Sequence, residues 1–215
     1  MQKRIKPFVL LSVVLLLTVV IIGVLAYLTD NEFHVNDAMV KPVVVKVVEN
    51  FNPPNLEEYE PGNIVEFTKE ISAKNIGETD CYIRLRLELS DLEKAKITKL
   101  TWDGVNWYSI DEFPNHLPPD WTYVDDAKLG GPYFYYTKIV HCERSNRPAE
   151  STTNLITAVR TYLDKNEDIS NDYVIYAYAE AVQVVSSTGI VYNDNAALRT
   201  WRSFMEKWTR DGGQL

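Results

Sequence analysis

The sequence contains few residues of the kinds that build catalytic and metal sites. Only three of its 215 residues are histidine, and His34, His116 and His141 show no HExxH spacing. No G-x-S-x-G element and no glycine-rich phosphate loop is present either. A zinc site needs three or four ligands held on one frame. The sequence therefore predicts a protein that is not an enzyme and that holds no cofactor or metal.

Cysteine is also scarce. Cys81 and Cys142 are the only two in the chain, which is too few for a disulfide-stapled scaffold. Outside the cytoplasm an even pair can close one disulfide, and two separate buried thiols are the alternative. The sequence leaves both open.

The sequence also has no excess of basic over acidic residues. The 22 lysines and arginines are outnumbered by 30 aspartates and glutamates, and the formal net charge is −8. Nucleic acid and anionic lipid surfaces select basic proteins. This balance excludes nucleic acid as a partner and is typical of a domain that stays soluble outside a cell.

No charged residue occurs from Phe8 to Leu28, directly after a short basic head. A basic head followed by an apolar core is the signal that the secretion machinery reads, and it predicts a hydrophobic helix over residues 1–26. The run ends in small residues that predict cleavage between Ala26 and Tyr27. Uncleaved, it is long enough to anchor the chain in a membrane. Either way, the rest of the chain is expected at the cell surface or secreted.

Strand patterns fill the middle of the chain. Residues 43–48 form a β-branched run, residues 64–74 alternate, and residues 81–89 keep a clean period of two. Residues 173–185 are apolar on both faces, which is typical of a central strand covered on both sides. Residues 101–132 indicate one hairpin around Asp103-Gly104 and a long loop. The remaining predicted strands are 133–142 and 154–163.

The tail changes to helical spacing. Leu198, Trp201, Phe204, Met205 and Trp208 fall on one side of a predicted helix, which either docks on the sheets or binds a partner. Several short strands and one late helix predict an all-β, jelly-roll-like or immunoglobulin-like β-sandwich. The predicted segments are the signal peptide or anchor (1–26), an N-terminal arm (27–42), the sandwich (43–192) and the helix with its tail (193–215).

Weak motifs follow one another in a recognisable order. Residues 26–30 read Ala-Tyr-Leu-Thr-Asp, Pro61-Gly62 precedes Lys69, and Asn75-x-Gly77 precedes Tyr82-x-Arg84. An aromatic run at 133–136 and the segments 150–153 and 179–183 complete the series. In this order the chain resembles the SipW-dependent exported proteins, that is, the TasA and camelysin superfamily, and more closely the BsaA-type biofilm matrix proteins.

The resemblance implies a jelly-roll subunit that a SipW-type signal peptidase releases and that assembles with copies of itself into an extracellular fibre. Assembly proceeds in that family by donation of the new N-terminal segment. Here the arm would insert Phe33 and Val35 at a neighbour's open sheet edge. The predicted function is therefore a structural subunit of a fibre or biofilm matrix. The alternative is a membrane-anchored carbohydrate-binding or adhesion module, with matrix polysaccharide as a partner.

Glu180 is the one charge inside an apolar strand. A lone buried carboxylate is costly, so pairing with Arg84 or Arg86 across the sheet is the first interpretation. The second is that Glu180 assists an isopeptide bond between a lysine and an asparagine. The candidates for that bond are Lys46, Lys69 and Asn75.

Four aromatic residues cluster in the middle loop. Trp102, Trp107, Tyr108 and Trp121 either form a platform for carbohydrate or cap one end of the sandwich.

Overall fold

The computed structural model describes residues 42–53, 62–162, 174–184 and 196–213. These belong to one unit, which runs from Lys41 to Leu215. The predicted signal helix, the cleavage junction Ala26–Tyr27 and the donor residues Phe33 and Val35 lie outside the described residues.

Nine strands of the described part form two antiparallel sheets. Sheet A has the order β1-β2-β8-β4-β5, and sheet B has the order β6-β7-β3-β9. The strands are β1 (Val45–Phe51), β2 (Ile64–Asn75), β3 (Cys81–Leu89), β4 (Thr98–Thr101), β5 (Tyr108–Ser109), β6 (Trp121–Asp126), β7 (Gly131–Tyr136), β8 (Ile156–Tyr162) and β9 (Ile175–Gln183).

One apolar core joins the two sheets. Strand β3 contributes Cys81, Ile83 and Leu85, which alternate along the strand and are fully buried. They pack with Ile71 and Ile156 of sheet A, among others. Alternation with period two aims one set of side chains at the core, which is why this strand is readable from the sequence. The chain is an all-β protein with two antiparallel sheets, as predicted.

Two helices complete the described part. Helix α1 (Leu92–Ile97) begins at Asp91, whose carboxylate accepts hydrogen bonds from two backbone N–H groups. Helix α2 (Ala196–Arg210) packs on the outer face of sheet B and buries Trp201 and Met205. None of the helices in the described ranges is long and apolar enough to span a bilayer.

The predicted position of β9 in its sheet is wrong. The strand was expected to be central and covered on both sides, but it lies at the edge of sheet B, with β3 as its partner. Its outer face carries apolar side chains in two different surroundings. Val182 lies under helix α2, whereas Tyr176 and Tyr178 are about half exposed. Aromatic residues on a strand face therefore do not show that another element packs on that face.

The region between β5 and β8 also differs from the prediction. Strand β6 was missed inside the predicted long loop. Its first four residues, Trp-Thr-Tyr-Val, favour a strand, but the prolines before them and the aspartates after them favour a loop. A left-handed Gly130 at φ 89° turns the chain from β6 into β7. Strand β7 ends at Tyr136 and does not reach Cys142, although Val140 forms an isolated bridge to Cys81. Helix α1 was not predicted.

Candidate functional site

Arg84 is the centre of a buried polar cluster between sheet B and helix α2. Its side chain is 4% exposed, and its Nε and Nη2 donate to Glu180 Oε2 at 2.9 and 2.6 Å. Its Nη1 donates to the Leu129 carbonyl at 2.6 Å and to the Tyr135 hydroxyl at 3.2 Å. Arg84 and Glu180 are direct partners in the β3–β9 register. The predicted pairing of Glu180 with a strand arginine is confirmed for Arg84.

Aromatic rings enclose the same guanidinium. Its Cζ lies 3.8 Å from the Tyr133 ring centroid and 4.1 Å from that of Trp201. Cation–π contacts of this kind are strengthened when the cation is shielded from water. The Tyr133 hydroxyl donates to Glu180 Oε1 at 3.0 Å, and burial together with the Glu180 charge raises the pKa of Tyr133. These contacts tie helix α2 to the sheet.

Asp80, just before β3, anchors the loop after β7. It accepts a hydrogen bond from the Cys142 N–H at 2.9 Å, and His141 Nδ1, Arg144 Nη2 and Arg147 Nη2 lie within 3.0 to 3.2 Å of its oxygens. Burial by itself would raise the pKa of Asp80. The Cys142 N–H, His141 and Arg144 outweigh that effect and lower the pKa from 3.8 to about 2. This carboxylate is fully engaged and stays ionised.

The segment that leads into β1 lies at this same end. Ile76 N–H donates to the Val44 carbonyl at 2.9 Å, and Glu78 N–H donates to the Pro42 carbonyl at 3.1 Å. A Cβ added to Gly77 would lie 2.6 Å from Pro42 O and from Val44 N. Only glycine allows the two backbones to approach this closely. Pro42 therefore lies beside the β2–β3 turn.

These features define two ends of the β3–β9 pair. The closed pole comprises residues 76–84 and 180–184, with the Arg84 cluster, Asp80 and the Pro42 contacts. The open pole comprises residues 86–89 and 175–178. Nine residues make β3 roughly 25 Å long, so its first residue in the closed pole and its last residue in the open pole are about that far apart.

The open pole contains a cavity between the sheets. Its volume is about 400 Å³, within the usual range for ligand pockets. Among its described lining residues Asp111 carries the one charge. The apolar lining includes Leu87, Leu89, Leu100, Phe113, Phe134 and Ile175. This end of the core is not filled by the described side chains.

The outer face of the open pole carries two exposed aromatic residues. Tyr176 and Tyr178 are 46% and 48% exposed, with ring centroids 6.4 Å apart and planes within 27° of parallel. Their register partners in β3 are Glu88 and Arg86, which form an ion pair with each other. The sequence pattern Tyr-x-Tyr places both rings on one strand face. The pattern alone does not distinguish an exposed face from the protein-covered face that the sequence analysis predicts.

The residues proposed for an isopeptide bond are not brought together. Glu180 bonds Arg84 on the outer face of sheet B, whereas Asn75 is buried in sheet A and donates to the Thr79 and Val140 carbonyls. Lys69 pairs with Glu49 at 3.0 Å and lies six positions from Asn75 along β2. Lys46 is opposite Lys74, one position from the Val45–Asn75 pair, so it lies on the other face of the sheet.

The two cysteines are buried free thiols in the structure, which is one of the two alternatives left open. Burial, with smaller contributions from Asp80 and Cys142, raises the pKa of Cys81 to about 12. A thiol with such a pKa is a poor nucleophile at neutral pH. No group of three or more potential metal ligands occurs within the described ranges.

One member of the predicted aromatic platform belongs to the core. Trp121 is buried and donates from Nε1 to Thr153 Oγ1. Trp102 and Tyr108 both contact His116, the first by a hydrogen bond to its carbonyl and the second by stacking on its ring at 4.1 Å. Trp107 lies under the Arg160 guanidinium at 4.0 Å.

The fold and site together define an all-β, two-sheet protein with a closed and an open pole. No protein-family model matches this chain, and a search of curated proteins finds no match.

Proposed function

We propose that this protein is an exported structural subunit of an extracellular fibre or biofilm matrix. Its jelly-roll-like sandwich would polymerise by donating the N-terminal arm, residues 27–42, to the next copy. A SipW-type signal peptidase would first cut between Ala26 and Tyr27. The proposal joins the sequence resemblance to one structural observation, the position of Pro42 relative to the open pole.

Pro42 and the open pole lie at opposite ends of the sandwich. Pro42, the last residue of the arm, contacts the β2–β3 turn at the closed pole. The apolar cavity lies at the other end, beside Leu89 and Ile175. A donor and an acceptor on opposite ends make a head-to-tail contact, which produces open filaments unless the rotation closes a ring. This separation is the observation that carries the proposal.

The acceptor would combine a strand edge with the cavity. Strand β9 has one hydrogen-bonded partner among the described strands, and β1, the edge strand of sheet A, approaches it without pairing. The proposal takes the unpaired edge of β9 as the place where an incoming strand would add. An incoming arm would pair with such an edge and place Phe33 and Val35 towards the cavity. Main-chain hydrogen bonds would provide affinity, and the apolar pocket would provide specificity.

Cleavage would act as the switch for assembly. An arm that remains attached to a membrane helix is less free to reach a neighbour. The intact mass of the chain recovered outside its host tests this step. A mass that starts at or within two residues of Tyr27 agrees with the proposal, and a mass that still includes residues 1–26 contradicts it.

A crosslinking experiment tests the polymer contact directly. Val35→Cys and Leu89→Cys are introduced together, and fibres are oxidised and analysed as a denatured ladder. We expect intermolecular disulfides between neighbours. The matched control pairs Val35→Cys with Glu78→Cys at the closed pole, where no ladder is expected. Fibre formation by a chain lacking residues 27–39 would refute strand donation.

The alternative function, a membrane-anchored carbohydrate-binding or adhesion module, would use Trp102, Trp107 and Tyr108 as candidate platform residues, because Trp121 is buried. Retention of residues 1–26 in the recovered chain would favour this alternative.

A further inference from the structure

We propose that the outer face of the open pole binds a neutral polysaccharide chain through Tyr176 and Tyr178, with Arg86 and Glu88 as hydrogen-bonding partners. We call these four residues the tyrosine face. This binding activity is separate from strand donation, because a strand added at the edge of β9 extends the sheet sideways and leaves its outer face open.

The geometry of the two rings fits a saccharide. They lie two residues apart on one strand, so both project from the same face. At 6.4 Å between centroids, neither ring covers the other, and each keeps about half of its surface open. A pyranose presents a flat face of C–H groups with hydroxyls around its rim. Tyrosine offers the matching combination of an apolar ring and a polar tip.

The charges beside the rings favour a neutral ligand. Arg86 and Glu88 are 38% and 40% exposed and form an ion pair, so their formal charges cancel. The guanidinium donates hydrogen bonds and the carboxylate accepts them, which suits the hydroxyls of a sugar. An anionic or cationic polymer would find no net opposite charge on this face.

The area of the tyrosine face argues against a protein partner. A half-exposed tyrosine offers roughly 100 Å². Two of them with one ion pair fall well short of the roughly 800 Å² that each partner contributes to a standard protein interface. The same area is sufficient for one or two sugar rings. The described part of sheet B therefore offers a saccharide-sized surface, not one sized for a second copy of the chain.

A second exposed aromatic pair serves as an internal comparison. Phe204 and Trp208 on α2 are 42% and 48% exposed, with centroids 6.2 Å apart and planes at 25°. However, Gly213 packs directly against the Trp208 indole, so the chain after the helix covers part of that ring. The pair matches the tyrosines in exposure and ring geometry, which makes it a suitable control.

The test is a pull-down of the full chain, purified in mild detergent, on insoluble cellulose and chitin, with alginate as an anionic polymer. We expect binding to at least one neutral polymer and none to alginate. The Tyr176→Ala/Tyr178→Ala variant should reduce binding roughly tenfold, because both stacking contacts are removed. The Tyr176→Phe/Tyr178→Phe variant keeps the rings and should stay within about threefold of the wild type.

Three controls keep the proposal falsifiable. Phe204→Ala/Trp208→Ala should bind normally, every variant should show an unchanged thermal unfolding midpoint, and fibre assembly should be unaffected by loss of the tyrosines. The proposal is overturned by a wild type that binds neither neutral polymer, or by an equal loss in the Phe204/Trp208 variant. It is also overturned if removing the tyrosines changes the oligomeric state without polysaccharide, because the face would then be a contact between copies.

Discussion

Strands β3 and β9 pair continuously from Cys81–Gln183 to Leu89–Ile175, yet the two ends of this ladder have opposite surroundings. At the closed pole, helix α2 covers the outer face, and the inner residues Cys81 and Ile83 are fully buried. At the open pole the outer face carries exposed tyrosines, and the inner face borders a cavity of about 400 Å³. The β3–β9 register is continuous through both ends.

The difference shows where stability and recognition reside in this fold. Buried polar contacts concentrate at the closed pole, which is a pattern of the more stable parts of a protein. The apolar cavity and the exposed tyrosines of β9 lie at the open pole. Four tests probe this division, from the largest expected effect to the smallest.

Trp201 should show the strongest effect. Its side chain is 1% exposed, and it packs against Tyr135 and the Arg84 guanidinium. We expect Trp201→Ala to lower the free energy of unfolding by about 3–5 kcal/mol, because it removes a large buried side chain and undocks α2. Urea unfolding measures the loss. Trp208→Ala on the exposed side of the helix should cost less than about 1 kcal/mol. Equal losses for Trp201→Ala and Trp208→Ala would show that the buried face of the helix does not stabilise the closed pole.

Arg84 and Arg86 offer a matched pair on one strand face. Arg84→Met leaves Glu180 without its ion partner and the Leu129 carbonyl without a donor. We expect a loss of about 2–3 kcal/mol, less than for a fully buried pair because Glu180 is partly exposed. Arg86→Met at the open pole should cost less than about 1 kcal/mol. Thermal unfolding of both variants checks the contrast, and a larger loss for Arg86 would reverse it.

Asp80 should make the closed pole sensitive to acid. Its pKa falls from 3.8 to about 2 on folding, so the ionised form stabilises the native state. That contribution, about 1–2 kcal/mol, is complete above about pH 5 and is lost as the pH falls through 4 to 2. Asp80→Asn should therefore be less stable than the wild type at pH 7, with the gap closing near pH 2. A gap that is constant with pH would contradict this account.

The tyrosine face should contribute least to stability. Tyr176 and Tyr178 are half exposed, so the double alanine variant should change the free energy of unfolding by less than about 1 kcal/mol. Circular dichroism during urea unfolding is sufficient to measure it. A loss comparable with that of Trp201→Ala would mean that these rings belong to the core. The two poles would then not differ in their contribution to the free energy of unfolding.

Much of sheet B was predictable because its pattern is local. Strand β3 keeps a strict alternation, and Glu180 stands out as a charge among apolar residues, which predicted its arginine partner. Strand β6 was missed although Trp-Thr-Tyr-Val favours a strand, because the prolines and aspartates around it indicated a loop. The edge position of β9 was also hidden, because a strand's own residues do not specify how many neighbours it has.

The sequence by itself determined the all-β class, the buried face of β3 and the late helix. Each of these follows from residue type and spacing over a few positions, which is the range of backbone sterics and side-chain alternation. Only the tertiary structure decided that helix α2 covers one end of sheet B, that a cavity remains at the other, and that Trp121 is buried while Tyr176 is exposed. Those outcomes depend on residues far apart in the chain, because packing is a property of the assembled sheets.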